Sequence, residues 1–145
     1  RETRSARLII FGEGPMADEL TAFAREIGIA SNVLFPGYVN DPQACYARAD
    51  LFVLSSVSEG FGNVLVEAMG AGVPVVSTDA PYGPREILDN GRFGELVAVG
   101  DATGLAKAML AAHANPVPAD RLKERAADFD VPRIVDRYEA LLLSG

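Results

Sequence analysis

The sequence predicts an α/β fold with a Rossmann-like, mainly parallel sheet and helices on both faces. Short apolar runs alternate with stretches of helical periodicity along the chain, which is the order of βαβ units. The apolar runs carry no regular polar alternation, as expected for strands that are covered on both faces. The 145 residues, 49% of them hydrophobic, fit one domain with a core of its own.

Five strands and seven helices are predicted from these runs and from the glycine and proline residues between them. The strands cover residues 8–11, 33–35, 51–54, 75–77 and 95–99. The helices cover residues 15–27, 41–49, 63–70, 83–88, 101–113, 119–129 and 132–143. Pro15 opens the first helix and Gly28 follows its end, while Asn40 or Asp41 caps the second. Ligands of such folds bind at the carboxyl ends of the strands, so the loops there are where a site is expected.

The composition excludes several classes of site. The chain has 13 basic and 20 acidic residues, a net charge of −7, and no basic cluster that would indicate nucleic-acid binding. Its single cysteine, Cys45, and single histidine, His113, allow neither an internal disulfide nor a zinc site of His and Cys ligands. No apolar run approaches the roughly 20 residues of a membrane span.

The first glycine-rich turn has the form of a dinucleotide-binding fingerprint. Gly12, Gly14 and Ala17 match G-x-G-x-x-A between a strand and a helix. That fingerprint also requires an acidic residue at the end of the next strand, and none occurs there before Asp41. A tight turn into a helix is therefore the favoured interpretation, and a dinucleotide dehydrogenase is disfavoured.

The stretch from Glu59 to Glu67 predicts a phosphate and sugar site. Gly60 and Gly62 flank a loop that follows a buried strand, and these residues allow positive φ or close approach of a ligand. The free N–H groups at the start of the helix that begins at Asn63 favour a phosphate. Glu67 is the one charged residue between positions 64 and 76, and a carboxylate on so apolar a helix needs a hydrogen-bonding partner, for which ribose hydroxyls are suited.

These residues resemble the E-x7-E motif of the retaining glycosyltransferases of the GT-B fold, family 4 or group 1. Similarity to that family continues on both sides of the motif, over residues 8–15, 33–37, 46–55 and 64–78. Residues 83–88, Gly-Pro-Arg-Glu-Ile-Leu, are similar to a variant found in sugar transferases of polysaccharide synthesis. The resemblance spans Arg7 to about Leu110.

The resemblance implies a role for each candidate residue. Glu59 is the implied catalytic residue and would contact the donor sugar and diphosphate with the backbone of Gly60, Phe61 and Gly62. Glu67 would bind the ribose hydroxyls. The other implied donor-binding residues are Asn63 at the helix start, Gly12 and Gly14 beside the diphosphate, and Tyr38, Val39 and Asn40 at the nucleobase.

The resemblance also implies that the chain is one half of a two-domain enzyme. The expected donor is an NDP-sugar, with a UDP-sugar favoured, and the family retains anomeric configuration without a metal or cofactor. The acceptor-binding amino-terminal domain and the βα unit whose Arg and Lys neutralise the diphosphate are expected to be missing. Arg1, Arg4 and Arg7 lie at the wrong end of the first strand to replace them. The fragment, residues 1–145, is expected to be inactive alone, and the enzyme to be cytoplasmic, with any membrane association made peripherally through the missing domain.

Two other functions remain open from the sequence. A nucleotide-sugar epimerase of the same fold would bind the same donor but bring acid and base groups of its own. A non-enzymatic module that recognises a nucleotide would need only the loop and helix start. Neither the donor sugar nor the acceptor follows from the sequence.

Overall fold

The structure is a computed structural model that describes residues 6–143. Arg1 and Arg4, named above, lie outside the described residues. The chain divides into two compact units, one up to Pro42 and one from Gln43 onward. All strand pairs are parallel, and helices alternate with the strands. The predicted α/β class and the parallel direction of the strands are therefore confirmed.

The first unit contains a two-stranded sheet. Strand β1 (Leu8–Phe11) pairs in parallel with β2 (Val33–Gly37), and helix α1 (Ala17–Glu26) with a short 3-10 helix (Ala30–Asn32) connects them. The Asn32 side chain donates to the carbonyl of Ala6 at 3.0 Å. This bond ties the turn before β2 to the residues that lead into β1.

The second unit contains a three-stranded sheet with the order β3–β4–β5. Its strands are β3 (Phe52–Leu54), β4 (Val75–Thr78) and β5 (Glu95–Val97). Its helices are α2 (Pro42–Tyr46, which begins at the boundary), α3 (Asn63–Gly70), α4 (Pro84–Ile87), α5 (Ala102–Ala114), α6 (Ala119–Ala127) and α7 (Val131–Leu143). The five strands within residues 6–143 thus form two sheets, so the expectation of a single, mainly parallel sheet of five or more strands is wrong.

Helices cover both faces of the three-stranded sheet. Successive strand residues point to opposite faces, and Val75 packs into a core with α3, α4 and α6, where Leu65, Ile87 and Leu122 are fully buried. Val76 packs with α5 in a second cluster. Both faces of β4 are therefore dry, as its unbroken apolar run predicts.

The first unit departs from that expectation. The side chains of Leu8, Ile9 and Phe11 are 45–46% exposed, and Leu34 is 50% exposed. Apolar periodicity predicts these strands correctly but not their burial. Coverage depends on a neighbouring helix, and within residues 6–42 the connecting α-helix is α1 alone.

Candidate functional site

The loop between β3 and α3 ends at a glycine whose backbone conformation other residues rarely adopt. Gly62 has φ 95° and is the N-cap of α3, a left-handed conformation that favours glycine. The Leu65 amide donates to the Gly62 carbonyl at 2.9 Å. The amides of Asn63 and Val64 have no carbonyl one turn earlier in the helix to bond to, and both residues are exposed. Gly60, by contrast, has no positive φ, and a Cβ there would meet no other atom within 4 Å.

A buried threonine at the end of β4 fixes the start of this loop. The Thr78 hydroxyl lies 2.5 Å from the Ser56 carbonyl and 3.4 Å from that of Leu54. Thr78 is only 5% exposed, so these bonds are made away from water. The carboxyl ends of β3 and β4 are consequently held together where the loop leaves the sheet.

The loop after β4 touches the site loop directly. Gly83 has φ 87°, and a Cβ there would overlap the backbone of Phe61. The Phe61 ring meets Phe129 edge to face, with centroids 5.5 Å apart. Phe61 is therefore packed between the loop after β4 and the end of α6.

Arg85 follows this close contact, beside Pro84 at the start of α4. Its guanidinium pairs with Asp79 at the end of β4, and its side chain is 59% exposed. From the sequence, Arg85 is named only as part of the family-like segment 83–88, and the basic residues considered for the diphosphate are Arg1, Arg4 and Arg7. Of those residues, Arg7 is exposed and precedes β1, at the amino end of that strand as predicted.

Glu67 has the partner that its apolar helix requires. The Tyr46 hydroxyl donates to Oε2 of Glu67 at 3.0 Å. Tyr46 is 7% exposed, and its ring meets Phe52 edge to face at 5.6 Å. Burial and the hydrogen bond to Glu67 raise the pKa of the Tyr46 hydroxyl well above its ordinary value, so the hydroxyl remains a donor at neutral pH.

The other predicted residues of the second unit lie on the same loop and helix. Glu59 is half-buried in the loop, Phe61 is half-buried beside it, and Glu67 is half-buried on α3. The structure therefore brings Glu59, Gly60, Phe61, Gly62, Asn63 and Glu67 into one continuous loop and helix.

The remaining predicted residues belong to the first unit. The Gly12 amide donates to the Gly37 carbonyl at 2.9 Å, which joins the loop after β1 to the last residue of β2. Gly12 has φ 119°, whereas Gly14 has no positive φ. Tyr38 is 71% exposed, Val39 is half-buried and Asn40 is exposed. Helix α2 begins at Pro42, so Asp41 directly precedes it, and Asn40 is one residue further away.

Sequence reasoning assigned no role to Tyr46, Thr78 or Gly83. Tyr46 carried one recognisable signal, because a tyrosine within an apolar core usually finds a partner for its hydroxyl. That signal does not name the partner, which is 21 residues away. Within residues 6–143, no group of three or more His, Cys, Asp or Glu side chains could hold a metal ion. None of the helices described is long and apolar enough to cross a membrane.

Comparison with known proteins identifies the family. The model of the family described as "Glycosyl transferases group 1" matches residues 1–115. A lipopolysaccharide core biosynthesis glycosyltransferase of Rhizobium meliloti, LpsE, is 36% identical over 142 residues, which are 94% of this chain and 42% of that protein. A 4-alpha-N-acetylgalactosaminyltransferase of Campylobacter jejuni that acts on a diphospho-undecaprenol is 41% identical over 64% of this chain and 26% of its own length.

A solved structure agrees with these sequence relatives. The Anabaena protein HepE, determined in complex with UDP, superposes with a TM-score of 0.82 at 28% identity, over 98% of this chain and 42% of HepE. The chain spans less than half the length of each of these three proteins. The family match, the parallel α/β architecture and the loop and helix from Glu59 to Glu67 together lead to one conclusion: this chain belongs to the group 1 glycosyltransferases, and its fold is that of a GT-B glycosyltransferase domain.

Proposed function

We propose that this chain binds the nucleoside diphosphate of an NDP-sugar and is the donor-binding half of a retaining hexosyltransferase. The observation that carries the proposal is the αL glycine cap that presents the Asn63 and Val64 amides, followed one turn later by Glu67. Amides at a helix start attract a diphosphate. A carboxylate on that helix can accept hydrogen bonds from the two hydroxyls of a ribose.

A UDP-sugar is the proposed donor, and a glycan or lipid-linked sugar is the proposed acceptor. HepE was solved with UDP, which supports uridine. The LpsE relative is named for lipopolysaccharide core synthesis and the Campylobacter relative for a diphospho-undecaprenol substrate, which supports a role in cell-envelope or polysaccharide synthesis. We place the complete enzyme in the cytoplasm, where such sugar nucleotides are substrates.

In the proposed reaction, the bond between the anomeric carbon and the diphosphate oxygen breaks, and a bond from the acceptor oxygen to the anomeric carbon forms. The acceptor proton passes to the leaving diphosphate or to solvent, so the products are the glycoside and the nucleoside diphosphate. Negative charge grows on the leaving diphosphate, and donors fixed in advance stabilise it most effectively. Glu59 and the backbone of Gly60, Phe61 and Gly62 are assigned to the sugar and diphosphate, and Glu67 to the ribose. Gly12 and Gly14 are assigned to the diphosphate. No metal or cofactor is included in this proposal.

The relatives' greater length supports a further domain in the complete protein, which would bind the acceptor and supply basic residues for the diphosphate. We therefore propose that this chain binds the donor but does not transfer sugar alone. Any association with a membrane is assigned to that further domain. No partner nucleic acid is proposed, in keeping with the net charge of −7.

Calorimetric titration of the chain with UDP, GDP and ADP at one salt concentration tests the proposal. We expect UDP to bind most tightly. We expect Glu67→Gln to weaken UDP binding by about tenfold or more, because a hydrogen bond to a charged group contributes about 1.5–3 kcal/mol. Glu124→Gln, an exposed glutamate on α6, is the matched control and should bind like the wild type. Failure of all three nucleotides to bind would contradict the proposed function.

A further inference from the structure

The strongest clue beyond the donor site is the tyrosine that holds Glu67. Tyr46 ends α2, and Glu67 lies in the middle of α3, so the hydrogen bond joins two separate helices. The tyrosine ring belongs to the same core as Leu65 and Met69, which are fully buried neighbours of Glu67 on α3. Its hydroxyl is therefore held in place by packing and does not rotate freely in solvent.

The direction of this hydrogen bond follows from chemistry. An ionised carboxylate only accepts, so the Tyr46 hydroxyl must donate to Oε2. The raised pKa of Tyr46 agrees, because ionisation would place a second negative charge beside Glu67. Oε2 thereby uses one of its lone pairs on the protein, so Oε1 keeps the greater capacity to accept hydrogen bonds from a ligand.

We propose that Tyr46 is a positioning residue that fixes the carboxylate of Glu67 for recognition of the ribose diol. A carboxylate that rotates freely must be ordered when a ligand binds, which costs side-chain entropy. Tyr46 orders it in advance and leaves both lone pairs of Oε1 to accept hydrogen bonds from hydroxyls. The inference rests on the proposed function and adds to it a means of selecting ribonucleotides over deoxyribonucleotides.

The decisive variant is Tyr46→Phe, which removes the hydroxyl and keeps the ring against Phe52. Affinities for UDP, 2′-deoxy-UDP and 3′-deoxy-UDP are measured by calorimetry. We expect UDP affinity to fall about five- to tenfold, since one hydrogen bond that orients a charged group is lost. The affinities for 2′-deoxy-UDP and 3′-deoxy-UDP, each of which lacks one of the two recognised hydroxyls, should fall less than the affinity for UDP. The preference for UDP over each deoxynucleotide should therefore shrink in the variant.

The control and the double variant separate positioning from simple packing. Tyr138→Phe on α7, where Tyr138 is 66% exposed, should leave all three affinities unchanged. Tyr46→Phe combined with Glu67→Gln should bind UDP no more weakly than Glu67→Gln alone, because Tyr46 acts through Glu67. An equal loss for UDP and both deoxynucleotides in Tyr46→Phe would show a structural role only and overturn the inference.

Two outcomes distinguish this inference from the proposed function. If Glu67→Gln weakens UDP binding and Tyr46→Phe does not, Tyr46 is not a positioning residue although the donor site stands. If Glu67→Gln has no effect, the assignment of Glu67 fails and the inference fails with it.

A measurement on the wild-type chain covers the case in which Tyr46→Phe does not fold. Tyrosine is labelled with ¹³C at Cζ. UDP should shift the Tyr46 resonance more than 2′-deoxy-UDP or 3′-deoxy-UDP does, and it should leave the Tyr138 resonance unchanged. A Tyr46 resonance that is insensitive to saturating UDP would overturn the inference.

Discussion

The two units of the chain carry similar apolar strands in different surroundings. In the second unit, Val75 and Val76 of β4 are at most 1% exposed, with helices on both faces of the sheet. In the first unit, Leu8 and Ile9 of β1 remain nearly half exposed. An apolar run therefore indicates a strand, whereas its burial depends on the helices available to cover it. The residues of the proposed site that are packed against other segments, Phe61 and Gly62, belong to the unit with the developed core.

The largest expected effect is on the free energy of unfolding, and it appears when a buried leucine and a half-exposed leucine are each replaced by alanine. Leu122→Ala in α6 removes a fully buried side chain and should lower the free energy of unfolding by about 2–5 kcal/mol. Leu34→Ala in β2, at a half-exposed position, should lower it by less than about 1 kcal/mol. Urea denaturation followed by circular dichroism measures both. Equal losses would mean that Leu34 is as well packed as Leu122 and would remove the contrast between the units.

A smaller loss of stability is expected when either of two glycines with positive φ is replaced by alanine. Gly83→Ala would force a methyl group into the backbone of Phe61 and strain a φ of 87°, so it should cost about 2–4 kcal/mol. Gly12→Ala has open space around the new methyl group and a φ of 119°, so only the strain of about 1–3 kcal/mol applies. Thermal melting of the two variants gives the comparison. A Gly83→Ala variant as stable as Gly12→Ala would show that the loop after β4 does not press on Phe61.

Local signals predicted the elements around the site well. Helix α3 runs from Asn63 to Gly70 as expected, because Gly62 before it and Gly72 after it mark where the helix can begin and end. Helix α1 begins at Ala17 and not at Pro15, because Pro15 and Met16 belong to the turn that follows Gly14. The 3-10 helix before β2 was not predicted, because three residues are too few to show periodicity.

Long-range features of the site could not be predicted from local pattern. Periodicity assigns Glu67 to an apolar helix and requires a partner for it, but it does not select Tyr46 on another helix. The contact of Gly83 with Phe61 likewise depends on how two loops leave neighbouring strands. The roles given to Tyr38, Val39 and Asn40 at a nucleobase remain predictions that the titrations must test.

The smallest expected change in stability belongs to Val39 in the loop after β2. A nucleobase needs an apolar wall with a few polar backbone groups at its rim, and Val39 with its exposed neighbour Tyr38 can provide the wall. Val39→Asp should therefore weaken UDP binding about three- to tenfold, while the half-buried position limits the loss of stability to about 1 kcal/mol. Val131→Asp on α7, at a valine that is 75% exposed, adds the same charge in the second unit and controls for general repulsion of the diphosphate. Both variants are titrated with UDP at one salt concentration and melted without it. If Val39→Asp and Val131→Asp bind UDP equally well, the assignment of Val39 to the nucleobase wall is wrong.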